Sequence, residues 1–88
     1  MYRQAAFVDC EQVYHLICQM ENRELPYDKF CEIYKKQLSS ESHYFLVCDN
    51  GSEVVGVLHL RFEEQLHHAA TVAEIMEFAV RPILENRE

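Results

Sequence analysis

The sequence predicts an α+β domain in the order β-α-α-β-β-β, with a mostly antiparallel sheet and two helices. Three observations carry this reading. Two segments with apolar residues at helical spacing precede three apolar runs of strand length. An Asp49-Asn50-Gly51 turn joins the first two of those runs into a hairpin. The 88 residues leave room for a single domain that buries roughly 64% of its unfolded surface.

Each element has its own signal. A short first strand over 2–6 rests on the alternation of Tyr2, Gln4 and Ala6 with Arg3 and Ala5. Asp9 is placed to cap a first helix over 10–22, with Gln12 as its capping-box partner. Val13, Leu16, Ile17 and Met20 form that helix's apolar stripe. Pro26 suits the first turn of a second helix over 27–38, and Asp28 suits its positive end. Phe30, Ile33, Tyr34 and Leu38 make the second stripe, while Lys35 and Lys36 face the negative end of the dipole. Residues 43–48 read as the second strand and 53–62 as the third. In the third, Val54, Leu58, Leu60 and Phe62 share one face, and Val55, Val57, His59 and Arg61 share the other. Gly56 within it marks a bulge or a close backbone approach. Residues 63–70 read as a connection. Residues 71–80 are the fourth strand, stopped by Arg81-Pro82.

Charge and cysteine usage narrow the function. Fifteen acidic residues against eight Lys and Arg give a net charge of −7. Such a surface repels phosphate backbones and anionic lipids, so neither nucleic acid nor membrane is expected as a partner. An amine ligand suits it, although solubility alone accounts for the charge. Cys10, Cys18, Cys31 and Cys48 show neither a Cys-x-x-Cys pair nor short zinc spacing. They read as reduced, partly buried thiols of a cytoplasmic protein. No signal-peptide core or membrane-length apolar run is present.

The fourth strand carries the chemistry. Glu74 and Glu77 interrupt an otherwise apolar run, where an unpaired carboxylate costs several kcal/mol. A half-desolvated glutamate has a raised pKa and serves as a general base near neutral pH. The plainer reading pairs each with Arg61 or a lysine, or turns it to solvent. Three residues apart, the two face opposite sides of a regular strand, and only a bulge aligns them. His67-His68 offers a polar or metal-binding pair, with His59 and Glu74 as partners, but the spacing supports no metal site. With Gly51 and Gly56 as the chain's two glycines, no glycine-rich phosphate loop follows any strand.

The order of elements, the segment from Asp9 to Cys18, the run Gln65-Leu66-His67-His68 and the strand Ala73-Glu74-Ile75-Met76-Glu77-Phe78-Ala79-Val80 with Pro82 resemble the N-terminal half of the GNAT N-acetyltransferase superfamily. They are most similar to its aminoalkylphosphonate acetyltransferase branch. The resemblance implies attack of a small-molecule amine on acetyl-CoA. Glu74 would take the amine proton, and Glu77, His67 and His68 would line the acceptor side. The backbone at Phe78, Ala79 and Val80 would pair with the pantetheine arm of the acetyl-CoA. In the family this strand leads into a glycine-containing loop that holds the pyrophosphate at a helix N-terminus. Residues 83–88 here carry Glu85 and Glu88 and no glycine, so the resemblance implies an incomplete domain that binds acetyl-CoA weakly and is inactive alone. The alternative is a non-catalytic association module. Strand 71–80 would present a bare apolar edge, and a homodimer or higher assembly through it is expected.

Overall fold

The computed structural model describes residues 1–82. Its elements are β1 (Tyr2–Gln4), a 3₁₀ turn (Phe7–Asp9), α1 (Cys10–Glu21), α2 (Tyr27–Leu38), β2 (His43–Asp49), β3 (Val54–Gln65) and β4 (Ala70–Val80). The four strands form one antiparallel sheet in the order β1-β2-β3-β4, so the expected α+β class and element order hold. The stretch 83–88, set by sequence against the pyrophosphate loop, lies outside the described residues.

The two helices cover one face of the sheet. Val13, Leu16 and Ile17 of α1 and Tyr34 of α2 pack on Phe45, Val47, Val57 and Ala79, with Val13 and Val47 fully buried. Strand alternation sends the intervening residues to the other face, which the helices leave open. There Tyr2, Phe78 and Val80 are exposed, and with Leu46 and Leu58 they line a shallow apolar hollow of about 240 Å³. Met20, placed by spacing on the buried stripe, lies at the end of α1 and is exposed.

Several boundaries differ from the sequence reading for identifiable reasons. β1 stops at Gln4 because Asp9 turns the chain. Its carboxylate accepts the Ala6 N–H at 2.8 Å and a two-pronged contact from Arg3 at 2.9 Å. Asp9 therefore closes the 3₁₀ turn and does not cap α1, since it makes no cap bond there. Arg3 holds the Asp9 carboxyl below its ordinary range. Gln12, expected in a capping box, instead accepts the Val54 N–H at 2.5 Å and ties α1 to the start of β3. The segment 63–70 is mostly strand rather than connection. β3 runs to Gln65, β4 starts at Ala70, and the turn contains Leu66 to Ala69, with Ala69 at φ 49°. An exposed hairpin end needs hydrogen-bond pairing but no apolar alternation, so its polar residues gave no strand signal.

The bulge expected at Gly56 falls on its neighbour. The register slips between Cys48 and Asp49, leaving Val55 unopposed, and the Val55 carbonyl accepts from the Arg81 N–H at 2.8 Å. The slip also moves Val54 from the face of Leu58 into the core with Val57. A Cβ at Gly56 would meet ordinary contacts from 3.6 Å outward, so close approach is not what that glycine provides. In the β2–β3 turn, Gly51 sits at φ 99°, and Asn50 accepts from the Ser52 and Glu53 N–H groups.

Tyr34 joins α2 to the first turn. It is 2% exposed, and its hydroxyl donates to the Ala6 carbonyl at 2.8 Å. Tyr34→Phe keeps the ring and strands that carbonyl. Urea unfolding should show a loss of about 1–2 kcal/mol, and an unchanged midpoint would remove this bond from the fold's support.

Candidate functional site

The two glutamates of β4 are brought to one face by a second bulge. His59 pairs with Glu77 and Leu60 pairs with Ile75, so Met76 has no partner on β3. The extra residue resets the alternation between them. Glu77 opposes His59 and Glu74 opposes Arg61, and His59 and Arg61 lie two residues apart on one strand face. Both carboxylates thus belong to the helix-covered side of the sheet.

Their environments diverge. Glu74 lies beyond the shelter of the helices, is exposed, and accepts from Arg61 at 2.7 Å. Arg61 also holds Glu63 at 3.1 Å. This is the structural pairing the sequence allowed for, and an exposed pair of this kind contributes at most about 1 kcal/mol. Glu77 is half-buried. It lines a cavity of about 220 Å³ between the helices and β4, with Ile17, Phe30, Ile33, Tyr34, Phe45, His59 and Met76 among its walls. Burial pushes the Glu77 carboxyl up from its ordinary value, and the negative charge of Glu21 adds to the effect. The group that meets the description of a desolvated base is therefore Glu77.

His59 is the residue the sequence undervalued, having placed it on a strand face and named it as a partner for His67-His68. It is 3% exposed, stacks on Phe45 with ring centroids 4.0 Å apart, and shares a 2.8 Å hydrogen bond between its Nε2 and His43 Nδ1. Burial, with a smaller contribution from His43, lowers its pKa to about 4, so its imidazole is neutral at pH 7. The available signal was its position two residues after Val57, on the face that becomes core.

The remaining candidates separate. Ala79 is buried under the helices, whereas Phe78 and Val80 point to the open face. Among the described residues, β4 is the outer strand of the sheet, so one edge of its backbone at 78–80 has no strand beside it. His67 and His68 lie in the β3–β4 turn with ring centroids 4.2 Å apart. Ala70 and Glu77 are seven positions apart on β4, one of them taken up by the bulge, which leaves roughly 20 Å at about 3.3 Å per residue. The hairpin therefore does not bring the paired histidines to the Glu77 cavity. Among the described residues, no cluster of three or more His, Cys, Asp or Glu is arranged to hold a metal ion. No described helix is long and apolar enough to cross a membrane.

Comparison with known proteins gives this geometry a context. No protein-family model matches the chain. Aminoalkylphosphonate N-acetyltransferase of Salmonella typhimurium is 37% identical over 87 residues, covering 98% of this chain and 56% of the relative. A transcriptional regulator from Bacillus halodurans superposes with a TM-score of 0.80 at 22% identity, covering 92% of this chain and 59% of that one. A GNAT family acetyltransferase from Staphylococcus aureus superposes with a TM-score of 0.74 at 13% identity, covering 92% and 62%. The chain spans about half the length of the relatives it matches.

The neutral, buried His59 makes stability depend on pH. The unfolded imidazole takes up a proton near pH 6.5, whereas the folded one resists until about 4. The unfolded state binds more protons across that window, so stability falls as pH drops from about 6.5 to about 4. The expected loss is about 1–3 kcal/mol, and in His59→Gln it should be smaller by that amount. Urea midpoints measured along this pH range check it; parallel profiles for the two proteins would contradict it.

Proposed function

We infer that this chain, which has the N-terminal half of the GNAT acetyltransferase fold, supplies the acceptor side of an acetyl transfer from acetyl-CoA to a small-molecule amine. The observation that carries this reading is the place of Glu77 in a helix-lined cavity, where burial raises its proton affinity, while the bulge at Met76 brings Glu74 to the same face. In the transfer, the amine nitrogen bonds to the acetyl carbonyl carbon, the carbon–sulfur bond breaks, and the amine proton passes to a carboxylate. Glu77 is suited to take that proton, because a base with a raised pKa holds it more strongly near neutral pH. Glu74, tied to Arg61 and exposed, is assigned a supporting electrostatic role on the same face. The name of the Salmonella relative supports an aminoalkylphosphonate as the acceptor class.

The co-substrate side rests on the same strand. Among the described residues the backbone edge at Phe78, Ala79 and Val80 has no strand beside it, and it is a fitting partner for the amide groups of a pantetheine arm. With about half of the relatives' length represented, the 88-residue chain alone is proposed to be inactive. His67 and His68, far along the hairpin, would reach only an acceptor extending past Glu74.

A chimera joining residues 1–82 to the C-terminal half of the Salmonella enzyme tests the reading. It should acetylate aminoalkylphosphonates. Glu77→Gln should lower its kcat by about 10²–10⁴-fold, and Glu74→Gln by less. The chimera's rate should fall as pH drops through the raised Glu77 pKa, since only the ionised carboxylate accepts a proton. A folded chimera that tolerates Glu77→Gln at full rate would exclude that residue as the base.

A second reading is self-association, favoured by the exposure of Ile75, Phe78 and Val80 on an outer strand. Two copies pairing β4 about a two-fold axis would extend the sheet and complete its edge. Sedimentation at micromolar concentration should then show a dimer that Met76→Pro weakens. A folded monomer, or a dimer indifferent to that substitution, would rule it out.

A further inference from the structure

The sulfurs of Cys10 and Cys31 face each other across the junction of α1 and α2. Cys10 is the first residue of α1 and is buried, while Cys31 lies in the second turn of α2 and is half-buried. Their Sγ atoms are 2.9 Å apart, and both thiols are free. A disulfide needs about 2.05 Å between sulfurs, so closure asks for roughly 0.9 Å of approach across two packed helices. Cys18 and Cys48, on the second half of α1 and on β2, have no cysteine facing them. Spacing along the chain gives no hint of the pair, because the two residues are 21 positions apart.

We propose that Cys10 and Cys31 are a reversible dithiol–disulfide pair that cross-links α1 to α2. The oxidant is a small disulfide of the glutathione type. Cys31, the more exposed residue, attacks as its thiolate, forms a mixed disulfide, and releases one small thiolate. Cys10 then gives up its proton and attacks the Cys31 sulfur, releasing the second small thiolate. Two protein thiols become one disulfide, one small disulfide becomes two thiols, and the two protons end on the leaving groups. The order follows from the surroundings. Burial, reinforced by the neighbouring Cys31, pushes the Cys10 thiol up to about 12, which makes it a poor first nucleophile. Its deprotonation is needed only in the second step, where its target sulfur is already in contact.

The cross-link has a structural consequence. Ile17 on α1 and Phe30 and Ile33 on α2 wall the cavity that holds Glu77. Joining the helices through Cys10 and Cys31 fixes the separation of those walls and closes a ring in the unfolded chain.

The full chain carrying Cys18→Ser and Cys48→Ser, equilibrated in reduced and oxidised glutathione and then acid-quenched, provides the test. Intact mass spectrometry should show the loss of two hydrogens and no bound glutathione, reversed by a dithiol reductant. Melting should rise by roughly 10–25 °C on oxidation, from ring closure of this length in a domain of this size. In the same background Cys31→Ala should take up no internal disulfide and show no rise. A lasting glutathione adduct without closure, cross-linked dimers, or closure with no change in melting temperature would each overturn the proposal. The mass measurement on the parent chain keeps the test valid should Cys31→Ala fold poorly.

Discussion

The structure depends on burying one face of a four-stranded meander beneath two short helices. A domain of this size has little apolar surface to spare, and here it is concentrated where Val13, Leu16, Ile17 and Tyr34 meet Phe45, Val47, Val57 and Ala79. The remaining supports are polar and local. Asp9 gathers the Ala6 N–H and the Arg3 guanidinium, Tyr14 donates to the Leu25 carbonyl at 2.6 Å, and Gln12 reaches Val54. Each fixes a loop against the helix layer, so helices and sheet hold one another at a definite spacing.

That one-sided arrangement shapes the site. A carboxylate facing the helices is desolvated, and one facing the open side or the hairpin end is not. The extra residue Met76 decides that Glu74 and Glu77 share a face. Without it the two would face opposite sides. With it they share a face, and their distance from the helix layer then separates a half-buried Glu77 from an exposed, Arg61-bound Glu74. His59 occupies the same layer. It tolerates burial because it stays neutral and shares its hydrogen bond with His43.

The uncovered sheet face and the outer edge of β4 follow from the same layout. Phe78 and Val80 are turned outward by the alternation that turns Ala79 inward. Among the described residues, both features leave apolar side chains and one strand edge without a covering layer.

The sequence by itself determined the element order, the two amphipathic helices, the Asp49-Asn50-Gly51 turn and the family resemblance. Those are recorded in local spacing, turn chemistry and contiguous runs. It marked Glu74 and Glu77 as unusual, because charge in an apolar strand is visible without coordinates. Only the tertiary structure decided that Glu77 is the desolvated one, that Gln12 bonds β3 rather than completing a cap, and that residues 63–65 continue a strand. It also brought Cys10 to Cys31 and His43 to His59, across 21 and 16 positions. The physical reason is common to all of these. A bulge shifts register by one residue, and a contact between separate elements depends on how their faces dock. Neither leaves a periodic trace in the chain, since each is settled by which apolar surfaces are buried together.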